Sequence, residues 1–222
     1  MFYRLRKNKM AMVCLYILLA IILLCILVPV FSPYSMESID MQNGDKSPSS
    51  RHWLGTDKIG RDLFVRLFYA GRISLGLAIA VVGLECLAGV ILGSLAGFYG
   101  GVVDMAIMRR AEIFMSFPYV MFCITIVALF GNSIMNLIIV LSLISWPSIA
   151  RIVRGQILTL RELEYMEACE ALGISDFRRI FRHLLPNVIA YVIVYATLGM
   201  ASVILAETSL SFLGLGVSPP TP

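Results

Sequence analysis

The residues best suited to chemistry are acidic side chains placed in otherwise apolar sequence. Glu85 stands midway along an apolar run, where a charge costs about 2.5 to 3.5 kcal/mol on membrane-insertion scales. It can contact a substrate or a proton, or it can be a protonated carboxyl that makes an interhelical hydrogen bond. Glu207, at the end of another apolar run, is easier to hydrate. We take both as possible polar residues of a pore or of a helix interface.

The sequence carries no pattern typical of an enzyme. The phosphate-binding motif G-x-x-x-x-G-K-[ST] is absent, and the two histidines, His52 and His183, lie far apart in the sequence. Five cysteines include no C-x-x-C pair, so no metal site is predicted. Basic residues lie between apolar runs without aromatic interleaving, which argues against nucleic-acid binding. We therefore expect no catalytic residues, no cofactor and no enzymatic activity in the chain itself.

The composition predicts that these residues are positioned by membrane-spanning helices. Of the 222 residues, 59% are hydrophobic and only 14% are charged, and the mean hydropathy is +0.87. A helix needs about 20 apolar residues to cross the hydrocarbon layer. The chain is thus predicted to be an all-α, polytopic transmembrane helical bundle with five spans, which are Ala11 to Phe31, Ile73 to Phe98, Ile113 to Phe130, Ile134 to Ala150 and Val188 to Ala206.

The basic residues predict the orientation of the spans. Residues 1–10 carry four basic side chains ahead of an uncleaved first span at 11–31, so we expect a cytoplasmic N-terminus. Residues 32–72 then form an external loop with an amphipathic helix, and 73–222 form a core with four spans. Alternation places the basic connection 156–187, between spans four and five, on the cytoplasmic side. After an odd number of spans the chain ends outside.

Three glycines in the second span share one helix face. Gly89, Gly93 and Gly97 recur at intervals of four, which lets a neighbouring backbone approach closely. Static helix packing and a sliding surface beside a pore both explain this pattern.

The 156–187 connection has the pattern of two short helices. Thr159 with Glu162 predicts a capping box at the start of the first helix, and Gly173 predicts its left-handed end. A second, amphipathic helix starts near Ser175 and leads to Pro186. It could lie among lipid headgroups, but the small and acidic run at 164–173 favours contact with a protein.

This connection resembles a known docking loop. Glu167-Ala168-Cys169-x3-Gly173, closed by Leu185-Pro186, is similar to the EAA loop of ATP-binding-cassette import permeases. Two positions depart from the pattern, since Cys169 replaces the second alanine and His183 an isoleucine. The resemblance implies a coupling helix that sits in a groove of a separate ATPase subunit. The residues expected to couple are Glu164, Glu167, Ala168, Cys169, Ala171, Leu172, Gly173, Leu185 and Pro186.

A second motif narrows the family. Gly55-Thr56-Asp57 and Gly60-Arg61-Asp62 resemble the dipeptide, oligopeptide and nickel permease branch, as do the stretches 96–104 and 211–216, and the chain looks like its C-type permease. From the residues alone, the motif predicts turns that brace an interfacial scaffold more readily than a direct substrate site. The resemblance implies that this surface meets an external binding protein.

The family resemblance implies a function and an assembly. The chain is expected to be a multi-pass permease of the bacterial cytoplasmic (inner) membrane that forms half of a pathway for peptides or nickel. The expected partners are a homologous second permease, two ATPase subunits that bind ATP, an external substrate-binding protein and the lipid bilayer. The family normally has a sixth span, so the chain is expected to be truncated before it. An ion-coupled secondary transporter and a non-transporting anchor or sensor are the alternatives.

Overall fold

The computed structural model describes residues 8–216 as two compact units, one of residues 8–76 and the other of residues 77–216. Within this described part, the regular structure is helical, apart from one isolated antiparallel bridge between Thr56 and Asp62. Most of the predicted N-terminal segment 1–10 and the tail 217–222 lie outside the described residues.

The first unit contains helix α1 and a folded loop. Helix α1, Lys9–Phe31, starts at Asn8, whose side chain accepts a hydrogen bond from the amide of Ala11 at 3.2 Å. Most of its apolar side chains are exposed, as expected of a helix whose solvent is lipid. The loop 32–62 contains one 3₁₀ turn, Met41–Asn43. Helix α2, Leu63–Tyr99, begins in this unit and continues into the second.

The second unit is built from the rest of α2 and from five further helices. Gly100 and Gly101, with φ of 64° and 51°, separate α2 from the next helix. The helices that follow are α3 (Gly101–Ser116), α4 (Tyr119–Phe130), α5 (Ile134–Arg161), α6 (Glu164–Ala171) and α7 (Asp176–Phe212).

Helix α5 is the central element of the second unit. It packs against α3, α4 and α7, and it is the helix with the most buried side chains. Three apolar clusters line its length, and they include Leu141 near its start, Trp146 in the middle and Ile157 near its end. Helix α5 therefore contributes to all three layers of the core.

Within residues 8–216, four helices are long and apolar enough to cross a membrane, and the number is five if one bent helix pair is counted as a single span. The bent pair is α3 and α4, whose axes differ by 83°. The predicted third span, Ile113 to Phe130, is therefore not one straight helix, because the chain breaks at Phe117 and Pro118. A proline restrains the preceding residue to extended backbone, and Phe117 has φ −83° and ψ 132°.

The boundary between α5 and α6 differs from the predicted capping box. Helix α5 continues past Thr159 to Arg161, and α6 starts at Glu164 with Leu163 as its N-cap. Thr159 donates its hydroxyl back to the carbonyl of Gly155 at 3.3 Å. The prediction of a helix start at 159–162 was wrong because Ile157, fully buried, holds this stretch in α5.

Helix α7 contains a π-helical turn that the sequence did not predict. The turn spans Arg179–Leu184, where the amide of Leu185 bonds to the carbonyl of Ile180. Pro186 has no amide proton to continue the α-helical ladder, and the Asn187 side chain donates to the carbonyl of His183 at 2.7 Å. Pro186 therefore lies in the first turn of the long segment Leu185–Phe212 rather than at a helix end.

Candidate functional site

Helix α6 is held to the spans on one face and exposed on the other. Met166 and Cys169 are buried, and Met166 packs against Ile157 of α5 and Leu184 of α7. The remaining predicted coupling residues on the helix are exposed: Glu164, Glu167, Ala168 and Ala171, followed by Leu172 and Gly173. Cys169 thus faces the protein, whereas Leu172 is 78% exposed. Within α7, Leu185 is half-buried and Pro186 is exposed.

Gly173 ends α6 in a Schellman motif. Its φ is +69°, its amide bonds to the carbonyl of Glu170 at 2.9 Å, and the amide of Ile174 bonds to the carbonyl of Cys169 at 3.0 Å. These bonds satisfy carbonyls that a helix end would otherwise leave unpaired. Glycine adopts the left-handed conformation without steric cost, so the turn from α6 to α7 is sharply defined.

Three arginines connect this region to the ends of the spans. Arg179 of α7 bonds to Glu170 at 2.9 Å and to Asp176 at 2.5 Å, and its guanidinium lies 5.3 Å from the ring centroid of Phe98 on α2. Arg161, at the end of α5, donates to the carbonyl of Gly97 at 3.0 Å. The helices that meet at α6 are thereby linked through charged groups.

The third arginine, Arg154, makes a bidentate ion pair with Asp104. Arg154 of α5 donates from Nε and Nη2 to the two carboxylate oxygens of Asp104 on α3, at 2.5 and 2.6 Å. Sequence reasoning treated these arginines as topology signals and missed their contacts. Asp104, an acid in the first turn of α3, is the one local sign of this ion pair. Its partner could not be identified from sequence, since Arg154 lies fifty positions away.

The three glycines of α2 pack against α5. A Cβ atom added at Gly89 would lie 2.7 Å from Ile149, one at Gly93 would lie 2.5 Å from the carbonyl oxygen of Ala150, and one at Gly97 would lie 2.9 Å from the carbonyl oxygen of Arg154. Such separations are shorter than normal van der Waals contact. The two backbones therefore approach closely along about two helical turns.

Glu85 lies on a cavity of about 550 Å³ in the second unit. Glu85 is only 5% exposed. The hydroxyl of Ser145 on α5 lies within hydrogen-bonding reach of its carboxyl group. A Cβ atom at Gly199 on α7 would lie 2.9 Å from Oε1 of Glu85. Glu207 lies farther along α7 and accepts a hydrogen bond from Ser211 at 3.0 Å.

The helix break at Phe117 forms part of the same cavity. Residues of α2, the α3–α4 bend, α5 and α7 surround the space, with aromatic and aliphatic side chains between scattered hydroxyls. The lining residues include Glu85, Phe117, Tyr119, Leu141, Ser145, Ser148, Tyr195, Gly199 and Ser202.

The motif in the first unit is a hydrogen-bonded brace. Asp57 accepts from Nε of Arg61 at 2.7 Å and from the amides of Ile59 and Arg61. Asp62 accepts from the amide of Val65 at 2.9 Å, which caps α2, and lies 2.8 Å from Nδ1 of His52.

The other members of that motif fix the course of the backbone. Thr56 is buried, and its hydroxyl accepts from the amide of Lys46 and donates to the carbonyl of Asn43. Gly55 and Gly60 have φ near +80°, and a Cβ atom at either would overlap backbone atoms of the loop. The polar side chains of Thr56, Asp57 and Asp62 are thus all hydrogen-bonded within the first unit.

Comparisons with known proteins give a consistent result. Residues 89–222 match the family described as binding-protein-dependent transport system inner membrane component. Residues 1–48 match the N-terminal transmembrane domain of oligopeptide transport permease C.

Individual relatives match along nearly the whole chain. The oligopeptide transport system permease protein OppC of Bacillus subtilis is 42% identical over 217 residues, covering 98% of this chain and 71% of the relative. The dipeptide transport system permease protein DppC of Alkalihalophilus pseudofirmus is 40% identical over 221 residues, covering 100% and 73%. OppC of Haemophilus influenzae is 42% identical over 216 residues, covering 96% and 70%.

Proposed function

Because this chain belongs to the family of binding-protein-dependent transport system inner membrane components, we propose that it is the permease subunit of an ATP-driven peptide importer. It forms half of the translocation pathway in the bacterial inner membrane, with a cytoplasmic N-terminus. Relatives named for oligopeptide and dipeptide transport favour peptide cargo, and nickel is the other cargo that the branch resemblance implies. ATP hydrolysis belongs to partner subunits, and the chain itself is not an enzyme.

One observation carries the coupling part of the proposal: α6 is anchored to the spans on one face and exposed on the other. Met166 packs against Ile157 of α5 and Leu184 of α7, and Cys169 is buried on the same face of the helix. The exposed Ala168 and Ala171 lack bulky side chains, which suits close contact with a protein groove. A partner that binds this face can push on the spans without unfolding the loop.

The proposed assembly gives this chain four kinds of partner. Two ATPase subunits bind the 156–187 connection of this chain and of a homologous second permease, and the two permeases together enclose the pathway in the lipid bilayer. An external substrate-binding protein delivers the cargo, and the brace around Gly55 to Asp62 supports the surface that it meets.

In the proposed mechanism, the movement of α6 is transmitted to α5 and α7, which move as rigid helices. Closure of the ATPase subunits on ATP moves α6, and the motion passes through Met166 into α5 and α7. Arg179 keeps Glu170 at the end of α6 joined to Asp176 at the start of α7, so the two helices move together. The cavity beside Glu85 lies between α5 and α7 and alternates its access as they shift.

The substitution Gly173→Leu tests the coupling step. Leucine at φ +69° strains the Schellman turn, since left-handed backbone costs a non-glycine residue about 1 to 2 kcal/mol. We expect normal membrane insertion with ATP hydrolysis no longer driving uptake. Gly155→Leu is the matched control, because Gly155 lies on an exposed face of α5 with open space around it. Uptake and ATP hydrolysis are measured together in proteoliposomes.

Two results would contradict the proposal. Equal coupling in the Gly173→Leu and Gly155→Leu complexes would remove α6 from the relay. Copurification separates the alternative functions, because a bound ATPase supports an importer, a freestanding proton-coupled uptake supports a secondary transporter, and neither supports a non-transporting anchor.

A further inference from the structure

The cavity beside Glu85 has one acidic group and, among the described residues that line it, no basic one. A buried carboxylate is costly unless a cation or several hydrogen bonds offset the lost hydration. The described contact that faces it is the hydroxyl of Ser145. The carboxylate therefore lacks a fixed counter-ion within the cavity wall, and a cation that enters the cavity can supply one.

The groups around Glu85 can accept the hydrogen bonds of such a cation. Ser145 and Ser148 lie three positions apart on α5, while Tyr195 and Ser202 lie on the face of α7 that also carries Gly199. A primary ammonium has three N–H donors and no acceptor. One carboxylate and a few hydroxyl oxygens match that requirement.

Gly199 helps to place the carboxylate between two helices. A side chain at position 199 would meet Oε1 of Glu85 at 2.9 Å, so glycine leaves the space into which the carboxyl projects. Tyr119 is a further lining residue with spare bonding capacity. Its hydroxyl is buried and has only the thiol of Cys123, a weak partner, beside it.

The cavity is of a size suited to a small organic ligand. Its volume of about 550 Å³ falls within the roughly 300 to 1,000 Å³ of ligand pockets. Apolar side chains such as Phe117 and Leu141 cover much of the wall and can accept side chains of varied shape. The single charged group then provides the one interaction that does not depend on cargo side chains.

From these observations we propose that Glu85 is the counter-ion for the α-ammonium group of a peptide in transit. The inference rests on the proposed function, because it assumes that the cavity is part of a peptide pathway. Every linear peptide with a free amino terminus carries this group whatever its sequence. A shared terminal contact holds diverse cargo in one orientation, and a single ion pair is weak enough to be released.

The test uses the complete transporter in proteoliposomes with labelled trialanine. In the Glu85→Gln complex we expect uptake to fall about 10-fold, since hydrogen bonds to charged groups are worth more than neutral ones. ATP hydrolysis is measured in the same vesicles to show that each variant complex is assembled. Glu85→Asp keeps the charge and should retain most uptake. Glu112→Gln is the matched control, because Glu112 is an exposed acid on α3 paired with Arg109.

A crosslinking measurement on the wild-type complex does not depend on any variant folding. Tripeptides with a photoreactive benzoylphenylalanine at the first or the last residue are illuminated during turnover, and labelled sites are mapped by mass spectrometry. We expect first-residue label on the 145–148 and 195–202 segments in clear excess over last-residue label. Equal labelling from both ends would overturn the proposal.

The remaining outcomes separate this proposal from the proposed function. Wild-type uptake with equal uptake by Glu85→Gln would show a neutral carboxyl that only bonds helices, and it would overturn the ammonium contact alone. A wild-type complex with no ATP-dependent peptide uptake would overturn the proposed function and this proposal together.

Discussion

Glycines set how closely two helices of the second unit approach. Gly93 has no Cβ, so α2 contacts the backbone of α5 at Ala150 directly. Gly83 lies in the same helix but has no neighbouring atom within 4 Å of a built Cβ position. Gly83 and Gly93 are therefore matched in residue type and secondary structure, and they differ only in whether another helix lies against them.

The substitution Gly93→Ala is expected to destabilise the protein, and Gly83→Ala is not. An added methyl at 93 would lie 2.5 Å from a carbonyl oxygen, and overpacking of this kind costs about 1 to 3 kcal/mol. At 83 alanine fits and has the higher helix propensity. Thermal unfolding midpoints in detergent measure both effects. Similar midpoints for the two variants would argue against the close packing of α2 on α5.

The Asp57–Arg61 brace predicts a pH dependence of the loop 32–62. Burial raises the pKa of Asp57, but the hydrogen bonds from Arg61 and Ile59 and the nearby guanidinium together hold that pKa below its usual value. Because the folded-state pKa is lowered, the stabilisation is complete above the unfolded-state value of about 3.9. It is lost as the pH falls through the lower folded-state pKa.

Fluorine NMR of protein labelled with fluorotryptophan measures this transition, because Trp53 lies in the loop and contacts Phe64 edge-on, with the ring centroids 4.9 Å apart. We expect the Trp53 signal to shift only at acidic pH in the wild type. In Asp57→Asn the shifted signal should already be present at neutral pH. Asp45→Asn is the control, since Asp45 is exposed. A signal in Asp57→Asn that matches the wild type at neutral pH would contradict the prediction.

At the scale of elements, ion pairs connect helices that the sequence does not place together. The bidentate bond between Arg154 and Asp104 joins α5 to α3, and both side chains are only partly exposed. Bidentate arginine–carboxylate pairs are among the stronger charge-assisted contacts. This ion pair therefore holds α3, the first helix of the bent α3–α4 pair, against α5.

A double-mutant cycle tests this connection. Asp104→Asn alone should lower stability by about 1 to 2 kcal/mol, because it leaves a partly buried guanidinium without its anion. Arg154→Gln should cost much less in the Asp104→Asn background than in the wild type. Thermal unfolding in detergent gives the four values. Strictly additive effects would mean that the pair contributes no coupling between α3 and α5.

The elements that could be predicted are those governed by apolar length and by local backbone chemistry. The runs that became α1, α2 and α5 are long enough to identify as helices, and Gly173 ends a helix in the left-handed conformation as predicted. The failures have tertiary causes. Burial of Ile157 extended α5 beyond the capping box, and proline restraint at Phe117 broke a run that composition alone reads as one span.

The candidate functional residues also divide into those predicted from local sequence and those whose contacts depend on the fold. Sequence identified Glu85 and the face of α6, because a charge within an apolar run and a small, acidic helix are local features. It could not show that Glu85 lies close to Gly199 on α7, more than a hundred positions away. The arginine contacts were likewise inaccessible, since pairing across fifty positions depends on how the helices pack.

At the scale of the whole molecule, transport requires that α6 and the α4–α5 turn lie on opposite sides of the membrane. Helix α5 connects them with 28 residues, a length of about 42 Å, which exceeds the roughly 30 Å hydrocarbon layer. Asn132 precedes one end of α5 and Ala168 follows the other. A helix of this length and apolar character has room to span the layer completely.

Labelling from each side of the membrane tests this arrangement. In a background where the five cysteines are replaced by serine or alanine, we introduce Ala168→Cys or Asn132→Cys and confirm that each variant supports uptake. A membrane-impermeant maleimide should label Asn132→Cys in intact cells and Ala168→Cys only after the membrane is opened, because the proposed coupling requires α6 to reach a cytoplasmic ATPase. Added ATPase subunit should then protect position 168 and leave position 132 reactive. Labelling of Ala168→Cys in intact cells, or no labelling of it in opened membranes without the ATPase, would contradict coupling through α6 and with it the importer mechanism.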